Sequence, residues 1–197
     1  MAHIPDGIVS GPVLLAGALV SAGGLALGLR RQTPERIPRV AVLSATFFVA
    51  SLVHFPVGPT SVHLLLGGLA GVVLGWAAYP AILVGLLLQA VLFGFGGLVV
   101  LGVNAMNIAL PAVLLGLAGR RLLARPALAG AVAGGGAVAG TAFLVALTLA
   151  LSGQEFLGAA KLLGLTYLPL AVVEAVCTAA ALGLLVKVKP ELLGLTP

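Results

Sequence analysis

The 197-residue chain is 61% apolar and only 8% charged, against about a quarter charged in an ordinary soluble domain, which excludes a soluble fold and points to an all-α polytopic membrane protein. Ten basic against five acidic residues give a formal charge of +5, but the cations cluster without interleaved aromatics, which argues against a nucleic-acid partner. The one cysteine, Cys177, lies in an apolar run, so no disulfide framework is possible.

Apolar windows at roughly 8–29, 40–57, 63–78, 81–101, 104–119, 127–151 and 166–186 predict about seven transmembrane helices in a single domain, residues 1–197. Several fall short of the ~20 residues of an ideal span. The first window has no basic leader and is followed by Arg30 and Arg31, a flank pattern that holds the amino end outside and argues against a cleaved signal peptide. Connectors 30–39, 79–80 and 120–126 then fall inside, 58–62, 102–103 and 152–165 outside, and the carboxyl end in the cytoplasm. Three basic clusters (Arg30, Arg31, Arg36 and Arg39; Arg120, Arg121 and Arg125; Lys187 and Lys189) thereby share the cytoplasmic side, as the positive-inside rule asks.

The 28 glycines sit within apolar runs. Ala18, Ala22 and Ala26, and likewise Gly24 and Gly28, recur every four residues and form small faces that pack the bundle internally or dock a partner subunit. Gly134, Gly135, Gly136 and Gly140 superficially resemble a nucleotide loop but lack the Lys-Ser/Thr that would hold phosphate. The chain therefore carries no visible means of hydrolysing ATP.

With this topology His3, His54 and His63, every histidine in the chain, lie at the outer face. Gln89, Asn104 and Asn107 add amides around the turn between the fourth and fifth windows. Each has a plain alternative: His63 a helix cap or interfacial bond, His54 a pocket lining beside Phe55 and Pro56, and the asparagines caps of the fifth helix. Glu174 is the one carboxylate well inside a predicted span. It must be protonated, hydrogen-bonded or turned to a polar seam, and it orients helices or supports the site from a depth that disfavours ligation.

The start, Met1-Ala2-His3-Ile4-Pro5-Asp6-Gly7, is suited to holding a late divalent ion, because amine, backbone amide and neutral imidazole nitrogens can close small chelate rings around it. Nitrogens in a plane suit Ni(II) and Cu(II), whereas Zn(II) prefers a tetrahedron. If Met1 is retained, its amine, the amides of Ala2 and His3 and the His3 imidazole complete four nitrogens. If Met1 is removed, the Ala2 amine, His3 amide and His3 imidazole supply three, and His63 is the best fourth. Pro5-Asp6-Gly7 is a turn sequence that bends the tail back over the outer pocket, with Asp6 capping the first helix or accepting from a ligating imidazole.

These residues resemble a known family. The first seven residues are similar to the amino-terminal signature of the substrate-binding membrane subunit, or S component, of energy-coupling-factor nickel/cobalt transporters, the NikM/CbiM family. Phe55-Pro56-Val57-Gly58-Pro59-Thr60-Ser61-Val62-His63-Leu64-Leu65-Leu66-Gly67-Gly68 resembles its second signature, Gly102 to Ala109 its Asn-rich motif, and Leu168 to Thr178, containing Glu174, is similar to a further stretch of the family.

The resemblance implies a seven-helix S component in the prokaryotic cell membrane. Its amino-terminal segment, residues 1–7, would insert into the outer pocket and bind the ion in a planar nitrogen set that includes His3 and His63, with the asparagines ordering the loop. It also implies partners within the lipid bilayer and below it: a transmembrane coupling subunit, a pair of cytoplasmic ATPase subunits and a small accessory membrane subunit. The family usually begins Met-His, whereas Ala2 intervenes here, so methionine is removed, or it stays and alters the coordination, or the alanine is an added residue.

The expected function is capture and translocation of Ni(II), with Co(II) the alternative substrate. From a different class, an intramembrane metal-dependent enzyme would need an open coordination position and a nearby acid or base, and no His-Glu-x-x-His spacing is present. A channel or purely structural bundle would leave the amino-terminal nitrogens idle.

Overall fold

The computed structural model describes residues 3–57 and 60–195. Eight helices and one β-hairpin follow in order: α1 Gly11–Arg30, α2 Ile37–Ala50, β1 His54–Val57, β2 Thr60–His63, α3 Gly67–Leu74, α4 Ala78–Phe93, α5 Leu101–Arg120, α6 Pro126–Gly130, α7 Gly136–Ser152 and α8 Leu157–Val188. Five runs are long and apolar enough to cross a membrane: Gly11–Arg30, Gly67–Phe93, Leu101–Arg120, Pro126–Ser152 and Thr166–Val188. Helix α2, at 14 residues, falls short of that length, so by length and composition alone the described residues give fewer spans than the sequence predicts.

The run Gly67–Phe93 is a turn-back rather than one rod. Phe95, just past its end, lies 6.1 Å from the His54 ring, and His54 pairs directly with His63, just before its start. Both ends therefore lie at one face, while Leu74 and Ala77 line a cavity with Arg36, Arg39 and Arg120 at the other. The reversal is made at Gly75, whose φ of 59° and ψ of −130° suit only glycine. The predicted inner connector at 79–80 is thus shifted to 75–77, and Tyr79 is fully buried inside α4.

Two helical windows are corrected at the histidine end. The window 40–57 stops at Ala50, and residues 54–57 and 60–63 form an antiparallel hairpin instead, with His54 opposite His63. Pro56 and Pro59 cannot donate to a helical ladder, and β-branched Val53, Val57, Thr60 and Val62 favour extended backbone. The histidines predicted at helix ends are therefore cross-strand neighbours. Further on, 152–165, expected as a connector, is helical from Leu157, because the good helix formers Ala159 to Leu163 outweigh the lowered hydropathy. Residues 94–100, expected to continue the fourth helix, leave it at Gly94 and Gly96, both in the left-handed region.

Helix α5 is the central post, buried along its length from Val103 to Gly119. Missing side chains let its neighbours approach: a Cβ on Gly71 of α3 would strike the Ala112 carbonyl, and one on Gly134 would strike the Glu174 carbonyl of α8. Gly134 lies in one wide π turn, Ala131–Gly135, joining α6 to α7. On α1 the face carrying Gly17, Ser21, Gly24 and Gly28 is buried, with Gly24 against Tyr79 and Gly28 against Pro80. Ala18, Ala22 and Ala26 remain exposed, so the glycine face packs internally and the alanine face stays open.

Asn104 and Arg120 stand 16 positions apart on α5, about 24 Å at 1.5 Å per residue. That length separates the histidine end of the bundle from the end where Arg36, Arg39 and Arg120 converge.

Candidate metal-binding site

Residues 3–10 lie across the histidine end rather than trailing from it. Ile4 is 4% exposed and, with Val9, packs among Val100 and Val103 of the α5 start and Val145 and Leu149 of the α7 end. Burying these side chains supplies the hydrophobic part of the docking. The backbone is held by Asn104, whose Oδ1 accepts from the Ile4 N–H at 3.0 Å and whose Nδ2 donates to the Ile4 carbonyl at 3.0 Å. Asp6 Oδ1 accepts from the Val100 N–H at 2.9 Å, at the positive start of α5. Neither residue bonds to an imidazole; both tie down the segment that carries His3.

That docking brings His3 to His63. Their Nε2 atoms lie 3.1 Å apart, and the rings stack with centroids 5.0 Å apart. Both are buried, His3 at 7% and His63 at 1% exposure. Burial lowers the His3 imidazole pKa to about 3, with His63 adding to the effect, and lowers that of His63 to about 4. Two neutral, buried imidazoles side by side are a donor set suited to a late divalent cation.

The hydrogen bonds assign the tautomers. His63 Nδ1 lies 3.1 Å from the Leu64 carbonyl, which can only accept, so Nδ1 carries the proton and Nε2 is bare. His3 Nε2 must then donate to His63 Nε2, which leaves His3 Nδ1 bare as well. Each ring thus keeps one unprotonated nitrogen, that of His63 accepting from His3.

His54 stands at the rim. It is exposed, donates from Nδ1 to the Leu52 carbonyl at 2.9 Å and meets the His63 ring edge-on at 5.9 Å. Asn107 accepts from Thr148 Oγ1 at 3.1 Å and bonds to neither imidazole. Gln89 is fully buried and both its side-chain amide atoms are unpaired; its link to the site is indirect, its backbone carbonyl accepting from the Phe95 N–H at 3.2 Å. Met1 and Ala2, the other two expected contributors, lie outside the described residues. Among the described residues no group of three or more His, Cys, Asp or Glu side chains comes together.

One contributor escaped the sequence reading. Phe95 stacks on His3 at 6.3 Å and is itself followed outward by Phe93 and Phe48, roofing the imidazoles with apolar rings. The interruption Phe93-Gly94-Phe95-Gly96-Gly97 within an apolar window was the available signal. Glu174, the carboxylate expected inside a span, has backbone partners: its Oε1 accepts from the Leu65 N–H, and its two oxygens accept from the Leu66 N–H at 2.8 and 3.1 Å. It therefore holds the segment immediately after His63.

A predominantly helical bundle with apolar runs long enough to cross a membrane, in which the docked segment after His3 brings two buried imidazoles together, defines a membrane protein with a candidate metal site. The cobalt uptake substrate-specific transmembrane family model matches residues 3–192, and the chain belongs to that family. A putative metal transport protein from Haemophilus influenzae is 41% identical over 204 residues, 98% of each chain. The cobalt transport protein CbiM of Sorangium cellulosum is 33% identical over 84% of this chain and 81% of its own. A fused nickel transport protein NikMN from Rhodobacter capsulatus is 39% identical over 54% of this chain and 33% of its own. A crystal structure described as a truncated transition metal transporter superposes with a TM-score of 0.82 at 25% identity, covering 94% of this chain and 98% of that one. The chain is thus a transmembrane component of cobalt or nickel uptake.

Proposed function

We propose that this chain captures Ni(II) at the outer face and carries it across the membrane as the substrate-binding subunit of an ATP-driven energy-coupling-factor transporter. The observation that carries the reading is the buried pairing of His3 with His63. In this reading the chain passes the membrane seven times, amino end outside and carboxyl end in the cytoplasm, and residues 1–7 plug the outer pocket. The coupling subunit, paired ATPases and small accessory subunit are separate chains.

The ion is the cargo, and its ligands are the Met1 amine, the Ala2 and His3 amides and the His3 imidazole if Met1 is retained, or the Ala2 amine, the His3 amide and the His3 and His63 imidazoles if it is removed. From His3 the donor is Nδ1, because a ring through its own amide nitrogen then has six members. Ion entry replaces the His3–His63 hydrogen bond, turns the His3 ring about its Cβ–Cγ bond and leaves Nε2 of His63 facing the metal. Four in-plane nitrogens favour Ni(II) over Co(II). Cobalt remains the second reading, because a relative matched over 84% of this chain is named a cobalt transporter. No bond-making chemistry is required, and release from a tight planar site explains the need for an external energy source.

Equilibrium nickel titration tests the reading. His3→Ala is expected to abolish tight binding. His63→Ala is expected to be severe if mass spectrometry finds Ala2 as the first residue, and milder if Met1 is retained. Equal affinity of the wild type and His3→Ala refutes it.

A further inference from the structure

We propose that Glu174 is a positioning residue for His63, acting through the Leu64–Leu65 peptide group to hold the tautomer that leaves Nε2 bare for the ion. The proposal rests on the reading of His63 as a ligand. Glu174 is 1% exposed, deep in α8, and both its oxygens face N–H donors. It is 109 residues from Leu65 in sequence, so local chain geometry does not account for the contact. Gly134 allows it: with a side chain there, α8 could not come close at the Glu174 backbone.

The connecting piece is one planar peptide unit. Its N–H, from Leu65, donates to the carboxylate, while its C=O, from Leu64, accepts from His63 Nδ1 at 3.1 Å. These two groups point in opposite directions from a rigid plane, so the carboxylate fixes one edge and thereby aims the other at the imidazole. An acceptor oxygen on the N–H also polarises the unit and makes its carbonyl a better acceptor. Metal-bound histidines are commonly oriented by a carboxylate on the far ring nitrogen; here a peptide stands between the two.

Leu66 supports the same conclusion. It is the one non-glycine among the described residues with positive φ, at 51°, a left-handed conformation that leucine adopts at a cost. The two hydrogen bonds from its N–H to Glu174 hold it there, and without them the turn joining β2 to α3 is free to relax and carry His63 with it.

The test is a double-mutant cycle read by nickel titration, with Glu174→Gln, His63→Ala and the pair. Glutamine keeps the volume but turns an amide NH2 toward the donors. The expected result is a loss of tenfold or more in nickel affinity for Glu174→Gln in the wild-type background, and little further loss in the His63→Ala background. Equal losses in both backgrounds, or none in a folded Glu174→Gln protein, overturn the proposal. If the variant does not fold, nitrogen-15 NMR of histidine-labelled, metal-free wild type decides it: a proton on Nδ1 of His63 supports the relay, and a proton on Nε2 overturns it. An unaffected His3→Ala titration would instead defeat the ligand reading, so the two failures are distinguishable.

Discussion

Asn104 closes a ring of two hydrogen bonds on the backbone of Ile4, 3.0 Å each way, and so fixes the residue that follows His3. Removing it strands a buried N–H and a buried carbonyl, each costing on the order of 1–3 kcal/mol when unpaired. Asn104→Leu is therefore expected to weaken nickel binding at least tenfold, one decade corresponding to about 1.4 kcal/mol. The thermal midpoint of the bundle should change little, because the helical core does not depend on this contact. Nickel titration and differential scanning fluorimetry of the same preparation check both halves.

Stability of the metal-free protein should depend on pH through the paired histidines. In the folded chain their pKa values are lowered to about 3 and about 4, whereas unfolded histidines titrate near ~6.5. Below that value the unfolded chain binds more protons than the folded one, so this contribution is full above pH ~6.5 and is lost as pH falls toward the folded values. Thermal midpoints in detergent from pH 7.5 down to 4.5 should decline, and the double variant His3→Ala/His63→Ala should decline less steeply.

The close approach of α3 and α5 gives a packing prediction remote from the site chemistry. A methyl group on Gly71 would strike the Ala112 carbonyl, a backbone atom that cannot swing aside. Gly71→Ala is expected to destabilise the protein by about 1–3 kcal/mol through overpacking, visible as a lower thermal midpoint with and without nickel.

Phe95 covers the His3 ring and keeps water from the imidazoles. Phe95→Ala should raise the rate of nickel release several-fold while leaving the ligands in place, because a wetter pocket eases exchange. Stopped-flow release into a chelator measures this, and an unchanged rate would show that the ring is mere packing.

How much of this could be read from the sequence depends on the range of the interaction. Helices α1 and α5 follow windows 8–29 and 104–119 to within a few residues, because continuous apolar character sets them locally. The meeting of His3 with His63 was legible in part, since the sequence reading already expected both at one face. The hairpin was not, although Pro56 and Pro59 were the warning: ten short residues gave no length on which periodicity could act. Glu174 stood out as a buried carboxylate, but its partners are backbone N–H groups of Leu65 and Leu66, and main-chain donors leave no mark in residue identity. The same reason hid the partner of Asn104, expected to order the loop, because its grip on Ile4 uses only the backbone of that residue.

An electron-density map of the nickel-loaded protein tests the central claim most directly, because it gives the first residue, the ligand count and the planarity together. The account predicts one ion held in a plane of four nitrogens that includes the His3 imidazole, with Nε2 of His63 among them when the chain begins at Ala2. An ion bound away from His3, or one held mainly by oxygen ligands in an octahedron, would contradict it.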